Sequence, residues 1–170
     1  RLDMSGYISD PDDPITNMKW TVSGAINVQV KITGNRVYFS APKDWYGSEK
    51  LTFTAEDPHS GKGSAMTVVT VNHPPILKTL PPVVFDEGTV YPLNLLDYVT
   101  DPDDPIPSLR WSVSGNKAIK VEISGNKTTF YAPETWHGSE RITFAVEDPK
   151  GGKDSGSVLV TADHPPTLKA

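Results

Sequence analysis

The chain has 170 residues, of which 36% are hydrophobic and 22% charged, and its formal net charge is −5. This composition is typical of a folded globular protein, and an acidic chain without a Lys/Arg-rich stretch is not expected to bind nucleic acid or an anionic membrane. With no cysteine, disulfides and thiolate metal sites are excluded. No apolar stretch approaches the roughly 20 residues of a transmembrane segment, and 16 prolines and 13 glycines disfavour long helices.

Seven short strands are predicted in the second half of the chain, where no segment has helical periodicity. Ile119–Ile123 and Arg141–Val146 alternate apolar and polar residues, as half-buried strands do. Gly125 and Asn126 give a tight-turn signal after the first of these. In chain order the predicted strands are Pro82–Phe85, Val90–Leu96, Leu109–Val113, Ile119–Ile123, Thr128–Tyr131, Arg141–Val146 and Ser157–Ala162. Seven strands at this spacing predict an all-β, two-sheet sandwich.

The chain also contains an internal repeat with an offset of 91 residues. Residues 1–79 align without a gap to residues 92–170, and 38 of these 79 positions are identical, so the duplication is secure. The matched stretches include Asp10–Ile15 with Asp101–Ile106. Two copies of one sandwich domain are therefore expected in tandem.

The phase of the repeat predicts the domain limits. We expect one domain over residues 1–75, a second over 76–166, and the start of a further linker at 167–170. Residues 80–91 have no counterpart in the first copy. The first domain is therefore expected to lack its first strand, and the parent protein to continue on both sides.

Four tryptophans occupy repeated positions. Trp20 and Trp111 lie within predicted strands and are expected in the cores. Trp45 and Trp136 precede a Gly-Ser-Glu sequence in a loop. Core packing is favoured there too, while an exposed aromatic platform for sugar binding stays open as the alternative.

Acidic residues recur in two loops of each copy, as Asp-x-Asp-Asp and as Glu-Asp-Pro. Because strands alternate in direction, both loops and the linker are expected at the same end of the sandwich. In the second copy this end would gather Asp101, Asp103 and Asp148 with linker residues Asn72 and His73. Several carboxylate oxygens in a small space are what Ca²⁺ requires. The plainer interpretation is turn formation, since Asp side chains accept hydrogen bonds from nearby backbone amides.

Three segments of the sequence resemble motifs of a known family. Val99–Asp104 followed by Leu109–Val113 resembles the cadherin stretch with the Asp-x-Asp calcium motif, and Phe144–Asp148 followed by Gly151-Gly152 resembles the later cadherin Asp motif. Val71–Pro75 resembles the linker of bacterial and archaeal cadherin-like tandem repeats, which build large surface or secreted proteins. The resemblance implies two tandem seven-stranded Ig/cadherin-like β-sandwich domains and an extracellular, cell-surface or secreted location.

The resemblance also implies a set of metal ligands. Calcium would be held in the second copy by Asp101, Asp103 and Asp148, with Asn72 from the linker, and in the first copy by Asp10, Asp12 and Asp57. Glu87 would take the acidic role that follows the first strand. Two departures stand out: His73 and His164 replace the linker Asp, and the family's Leu-Asp-Arg-Glu motif is absent. One ion per junction is therefore expected rather than three.

The sequence does not suggest an enzyme. It has no nucleophile elbow, phosphate loop, dinucleotide fingerprint or His-Glu-x-x-His motif. Glu49 with Asp57, and Glu140 with Asp148, are conceivable carboxylate pairs for glycoside hydrolysis. Both pairs are duplicated, however, which is unusual for an active site in so small a domain.

Three functional hypotheses follow. The first is a structural repeat of a surface protein, adhesin or filament, with junctions between neighbouring domains rigidified by calcium. The alternative is a carbohydrate- or protein-binding module of a secreted multi-domain enzyme. The third is head-to-tail assembly of identical chains by strand donation to the open sheet edge of the first domain, against which stands an arbitrary boundary of the sequence.

Overall fold

The structure is a computed structural model that describes residues 1–166 and 168. The chain divides into two compact units, Arg1–Asn72 and His73–Ala170. The predicted boundary after residue 75 lies three residues beyond this division. The predicted start of a further linker at 167–170 lies, except for Leu168, outside the described residues.

The first unit has six strands, which form two antiparallel three-stranded sheets in the orders β1-β4-β3 and β2-β5-β6. The strands are β1 (Leu2–Asp3), β2 (Lys19–Ser23), β3 (Gln29–Thr33), β4 (Arg36–Ser40), β5 (Gly47–Glu56) and β6 (Lys62–Val71). Short 3-10 helices cover Met4–Tyr7 and Ile15–Asn17. Alternate residues of the strands point inward, and the buried core is Met4, Val28, Val37, Leu51 and Phe53.

The described residues of the second unit form nine strands. They are β7 (Ile76–Leu77), β8 (Val83–Asp86), β9 (Val90–Asn94), β10 (Val99–Thr100), β11 (Arg110–Ser114), β12 (Lys120–Ser124), β13 (Lys127–Tyr131), β14 (Gly138–Glu147) and β15 (Lys153–Asp163). Leu95–Tyr98 and Ile106–Ser108 are 3-10 helices. The sheets have the orders β11-β14-β15-β8, β12-β13-β9 and β10-β7, and β8 pairs in parallel with β15.

The seven strands expected from the sequence correspond to the strands of the two larger sheets, so the predicted all-β sandwich is confirmed. The inward face of β14 is also as expected, because Ile142, Phe144 and Val146 are all buried. Ile142 and Phe144 belong to a core that includes Phe130 and Val160, and Val146 belongs to a smaller cluster with Val99 and Leu109. Such cores are the main source of stability for a small domain without disulfides. The sequence did not indicate the two-residue pair β7–β10.

The tryptophans lie where packing was favoured. Trp20 and Trp111 each donate an indole hydrogen bond to the Asn of the following hairpin turn, at 3.2 Å to Asn35 and 3.0 Å to Asn126. Trp45 and Trp136 are partly buried and pack against the two cores. A half-buried ring of this kind offers little free face for a sugar.

A buried glutamate anchors one loop in the first unit. The Glu49 carboxylate accepts hydrogen bonds from the backbone amides of Ile26, Asn27 and Val28, at 2.7–3.1 Å, and from the Asn27 side chain. Burial alone would raise the pKa of Glu49, but these donors outweigh it and lower the pKa to about 2. Glu140 accepts bonds from the equivalent amides of the second unit. The two glutamates considered for glycoside hydrolysis thus have a structural role.

We expect Glu49→Gln to lower the melting temperature at pH 7, because a neutral amide cannot accept these bonds as an ionised carboxylate does. The pH dependence has a definite sign. The contribution of Glu49 is fully present above the ordinary carboxyl pKa of 4.5 and is lost as the pH falls toward 2. Thermal melts from pH 7 to pH 2 should therefore converge for wild type and variant at the acid end.

Glu56→Gln, on the same strand, is the matched control, because the Glu56 carboxylate forms a partly exposed ion pair with Lys62 rather than bonds to a loop backbone. Equal destabilisation by the two substitutions would contradict a special role for Glu49.

Candidate metal centre

Each acidic loop is built around one aspartate that fixes the turn. In the second unit, Oδ1 of Asp101 accepts hydrogen bonds from the backbone amides of Asp103 at 3.1 Å and Asp104 at 2.9 Å. In the first unit, Oδ1 of Asp10 accepts from the equivalent amides at 3.2 and 3.0 Å. One oxygen of each leading aspartate therefore serves turn formation, as the plainer interpretation expected.

The second oxygen of Asp101 is not used in this way. Oδ2 of Asp101 is buried and has no hydrogen-bond partner among the described residues. Ligand oxygens of Asp101, Asp103 and Asp104 lie within 4.8 Å of one another. A buried carboxylate oxygen without a donor is unfavourable, and like charges so close repel. These hard oxygen donors fit a calcium ion.

Lys150 already neutralises part of this cluster. Its Nζ lies 2.7 Å from Oδ2 of Asp104 and 3.0 Å from Oδ2 of Asp103, and bonds to these two carboxylates raise the lysine pKa. The side chain remains 34% exposed, so it can move away. At the equivalent position of the first unit, Nδ1 of His59 lies 3.2 Å from Oδ2 of Asp13.

Asp148 holds the loop that delivers Lys150. The residue is only 2% exposed, and its Oδ1 accepts hydrogen bonds from the amides of Lys150 at 2.7 Å and Gly152 at 3.0 Å. Gly151 in this turn has φ +91°, which glycine adopts without strain. Asp57 accepts the equivalent bonds in the first unit.

The structure therefore groups some predicted ligands and separates others. Asp101 and Asp103 lie together, and Asp104, which was not predicted, completes their group. In the described part of the chain, Asp148 does not belong to that group, while Asp57 is grouped with Asp13 and His59. Asp10 and Asp12 are grouped with Asp13.

The two linker residues His73 and Asn72 fall on either side of the division between the units. The backbone amide of His73 donates to Oδ1 of Asp103 at 3.2 Å, so the cluster contacts the first residue of the second unit. Asn72, predicted as a ligand, is the last residue of the first unit.

The closeness of the carboxylates in the first-unit cluster shifts the pKa values of Asp10 and Asp12 in opposite directions. Hydrogen bonds from the amides of Asp13 and Asp12 lower the pKa of Asp10. The pKa of Asp12 is raised by its side-chain hydrogen bond with Asp10 and by repulsion from Asp10 and Asp13. A bound cation would relieve this repulsion.

Glu87 is not part of either cluster. It lies near His137 and His164, beside the ends of β14 and β15 that are opposite the Asp148 turn. No partner of Glu87 was predicted, because its neighbours come from positions 50 and 77 residues further along the chain.

Two sheets packed around an inward-facing apolar core define an immunoglobulin-like β-sandwich module. Residues 72–161 match the family model of the bacterial Ig domain, and the chain belongs to that family. The predicted resemblance to bacterial Ig/cadherin-like repeats is thereby confirmed. No curated protein sequence matches the chain.

Several solved structures are similar to the chain at low identity. They include the endo-fucoidan hydrolase MfFcnA4 from glycoside hydrolase family 107, at 15% identity and a TM-score of 0.42, with 88% of this chain covering 24% of that one. Cadherin domains 1–4 of protocadherin gamma B7 match at 15% identity and 0.42, over 86% of this chain and 42% of that one. Drosophila N-cadherin EC1–4 matches at 8% identity and a TM-score of 0.41, over 87% of this chain and 42% of that one. The chain spans less than half the length of each.

The described residues include no helix that is both long and apolar enough to span a membrane.

We expect Lys150→Gln to lower the melting temperature of the second unit in chelator-containing buffer, because Asp103 and Asp104 lose their counter-charge. High salt should narrow the difference from wild type, since these groups are partly exposed and are screened by ions. Lys153→Gln is the control, because Lys153 is 65% exposed and forms its ion pair with Glu147, outside the Asp101 cluster. The same loss in both variants would contradict a neutralising role for Lys150.

Proposed function

We propose that the chain is a non-catalytic structural segment of an extracellular, cell-surface or secreted tandem-repeat protein, such as an adhesin or filament. In this proposal calcium binds the Asp101 cluster and stiffens the chain where it enters the repeat. Its partners are then neighbouring domains of the same protein. The bacterial Ig domain family and the internal repeat support the structural role.

The observation that carries the calcium proposal is the buried, unpartnered Oδ2 of Asp101 within a group of three carboxylates. Lys150 satisfies Asp103 and Asp104 but not this oxygen. Calcium takes 6–8 oxygen ligands at roughly 2.3–2.6 Å, so the three carboxylates would be completed by backbone oxygens and water. The hydrogen bond from the His73 amide to Oδ1 of Asp103 supports a stiffening role where the chain enters the second unit.

Because Lys150 is partly exposed, calcium can displace its ammonium group from Asp103 and Asp104. An ammonium and a calcium ion compete for the same two carboxylates, and the doubly charged ion wins only where enough free calcium is present. Millimolar calcium outside cells suits weak sites, whose dissociation constants are roughly 10⁻⁴–10⁻³ M. The repeat would then be stiff outside the cell.

The central test is thermal melting of the full chain in EDTA and in excess calcium. At free calcium about 100 times the dissociation constant, the folded unit gains about 2.7 kcal/mol, which should raise its melting temperature by roughly 10 °C. Asp101→Asn should abolish this gain, because the amide preserves the turn but not the charge. Lys150→Gln should reach the gain at lower calcium.

Asp97→Asn serves as the control, because Asp97 is exposed and, among the described residues, is not grouped with the carboxylates of the Asp101 cluster. A melting temperature that calcium does not change, or a gain that survives in Asp101→Asn, would contradict the calcium site while leaving the repeat architecture intact.

The alternative of a carbohydrate-binding module has no comparable support. Its aromatic platform was placed on Trp45 and Trp136, and both rings are partly buried against the cores.

Strand donation is a second candidate, because one specific observation favours it. The first unit has an open cavity of about 520 Å³. Its lining combines apolar residues with polar and charged ones: the apolar ones are Ile8, Met18, Trp20, Ala55 and Ala65, and the charged ones are Asp10, Asp57 and Lys62. The equivalent residues of the second unit surround Leu77 of β7, which packs with Val99, Leu109, Trp111 and Val146 and contacts Gly156. The apolar part of the cavity would receive the leucine side chain of a Pro-Pro-x-Leu linker, as the equivalent residues of the second unit receive Leu77.

The sheet edge next to this cavity is also open to an added strand. In the second unit β15 is covered by β8, whereas β6 is the outer strand of its sheet and exposes Met66 and Val68. We propose that the occupant is the linker and first strand of another repeat, from a preceding domain or from an identical chain in a filament.

A peptide with the sequence of residues 74–86 supplies both segments and tests this. It should bind the full chain saturably and raise the melting temperature of the first unit. The same peptide with Leu77→Asp is the control, because a carboxylate in place of the leucine side chain would be buried against Met18 and Trp20, with Asp10 and Asp57 also lining the cavity. Absence of binding, together with a monomer that persists at high protein concentration, would contradict strand donation.

A further inference from the structure

The register of the main sheet brings three metal-binding residue types to one edge of the second unit. β8 and β15 run in parallel with Asp86 opposite Asp163, so the next residues, Glu87 and His164, leave the sheet side by side. β14 pairs Gly138 with Ala162 in the antiparallel direction. His137, directly before Gly138, therefore lies at the same edge.

The backbone fixes Glu87 in this position. Its amide donates to the Asp163 carbonyl at 2.9 Å, and the amide of Gly88 donates to the Ala132 carbonyl at 2.8 Å. Glu87 therefore lies in the turn after β8, and these two backbone hydrogen bonds hold that turn in place.

The Glu87 side chain is only 8% exposed, and both its oxygens face imidazole nitrogens. Nδ1 of His164 lies 2.6 Å from Oε1, and Nδ1 of His137 lies 3.5 Å from Oε2. Oε2 is buried and has no hydrogen-bond partner among the described residues. The two imidazole rings are 5.6 Å apart, with the histidine side chains 67% and 54% exposed.

We propose that Glu87, His137 and His164 form a site for a divalent transition-metal ion, with zinc as the preferred ion. One ligand atom from each residue lies within 4.8 Å of the other two, so small side-chain rotations are enough to enclose an ion. Two imidazoles and a carboxylate suit zinc, which binds nitrogen at about 2.0–2.1 Å and carboxylate oxygen at about 2.0–2.2 Å. The exposed histidines leave the fourth position open to water or another ligand.

Calcium is a poor fit for this trio, because it prefers 6–8 oxygen ligands. The site also lies at the opposite end of β14 from Asp148 and the calcium candidate. It is therefore a separate site that goes beyond the structural function proposed above.

The alignment of the two repeats provides an internal comparison. Tyr46 occupies the position equivalent to His137, and His73 the position equivalent to His164. The first repeat thus has one histidine where the second has two, and one zinc ion per chain is expected.

The simplest alternative is that the two histidines only neutralise Glu87. Isothermal titration of zinc into the untagged, metal-free full chain distinguishes a zinc site from a simple ion-pair role of the histidines. The proposal predicts binding of one zinc ion at this site and at least about tenfold weaker binding in His137→Tyr, which installs the residue of the first repeat. Glu87→Gln should weaken binding as well.

His73→Ala is the matched control and should leave zinc binding unchanged. Circular dichroism of the metal-free variants shows whether each is folded, and His137→Tyr changes an exposed side chain, so it keeps the test decisive even if Glu87→Gln unfolds. X-ray absorption of the zinc complex should show two imidazole ligands.

The proposal is overturned if zinc does not bind, or if His137→Tyr binds it as tightly as wild type. Zinc binding that is lost in Asp101→Asn but kept in His137→Tyr would also overturn it, by placing the ion in the acidic cluster. Conversely, a failed calcium test with intact zinc binding would reject only the calcium site.

Discussion

The long antiparallel hairpin of each unit is the constraint on which the rest of the structure depends. β14 and β15 pair over ten consecutive residue pairs, from Gly138 with Ala162 to Glu147 with Lys153, and β5 and β6 pair over the same length. The inward side chains of this hairpin build the core. Its two ends fix the positions of the chemically active residues, with the Asp148 turn at one end and His137 and His164 at the other.

At the end of the hairpin near Asp148, the negative charges of the Asp101 cluster are incompletely neutralised. One oxygen of Asp101 closes the turn and the other is buried without a donor, while an exposed lysine bridges the two neighbouring carboxylates. This arrangement is only partly neutralised. A ligand of higher charge than an ammonium therefore has a physical reason to bind, and the loop provides mostly oxygen atoms to receive it.

Much of this could be predicted from the sequence, because the relevant signals are local or repeated. Alternation located the strands, and the offset of 91 residues exposed the acidic loops by matching Asp101 to Asp10. The pair β7–β10 was missed because two residues show no periodicity. Lys150 was missed because it aligns with a histidine, and its pairing with Asp103 spans 47 residues. The trio at Glu87 depends on a parallel register between residues 77 apart, which no local pattern reveals.

The central claim concerns the Asp101 cluster and is tested most directly by a crystal structure of the chain grown in calcium, with anomalous scattering to identify the ion. We predict a calcium ion at roughly 2.3–2.6 Å from Oδ2 of Asp101, with Lys150 displaced from Asp103 and Asp104. An ion-free cluster in which Lys150 still bridges the two carboxylates would contradict the account.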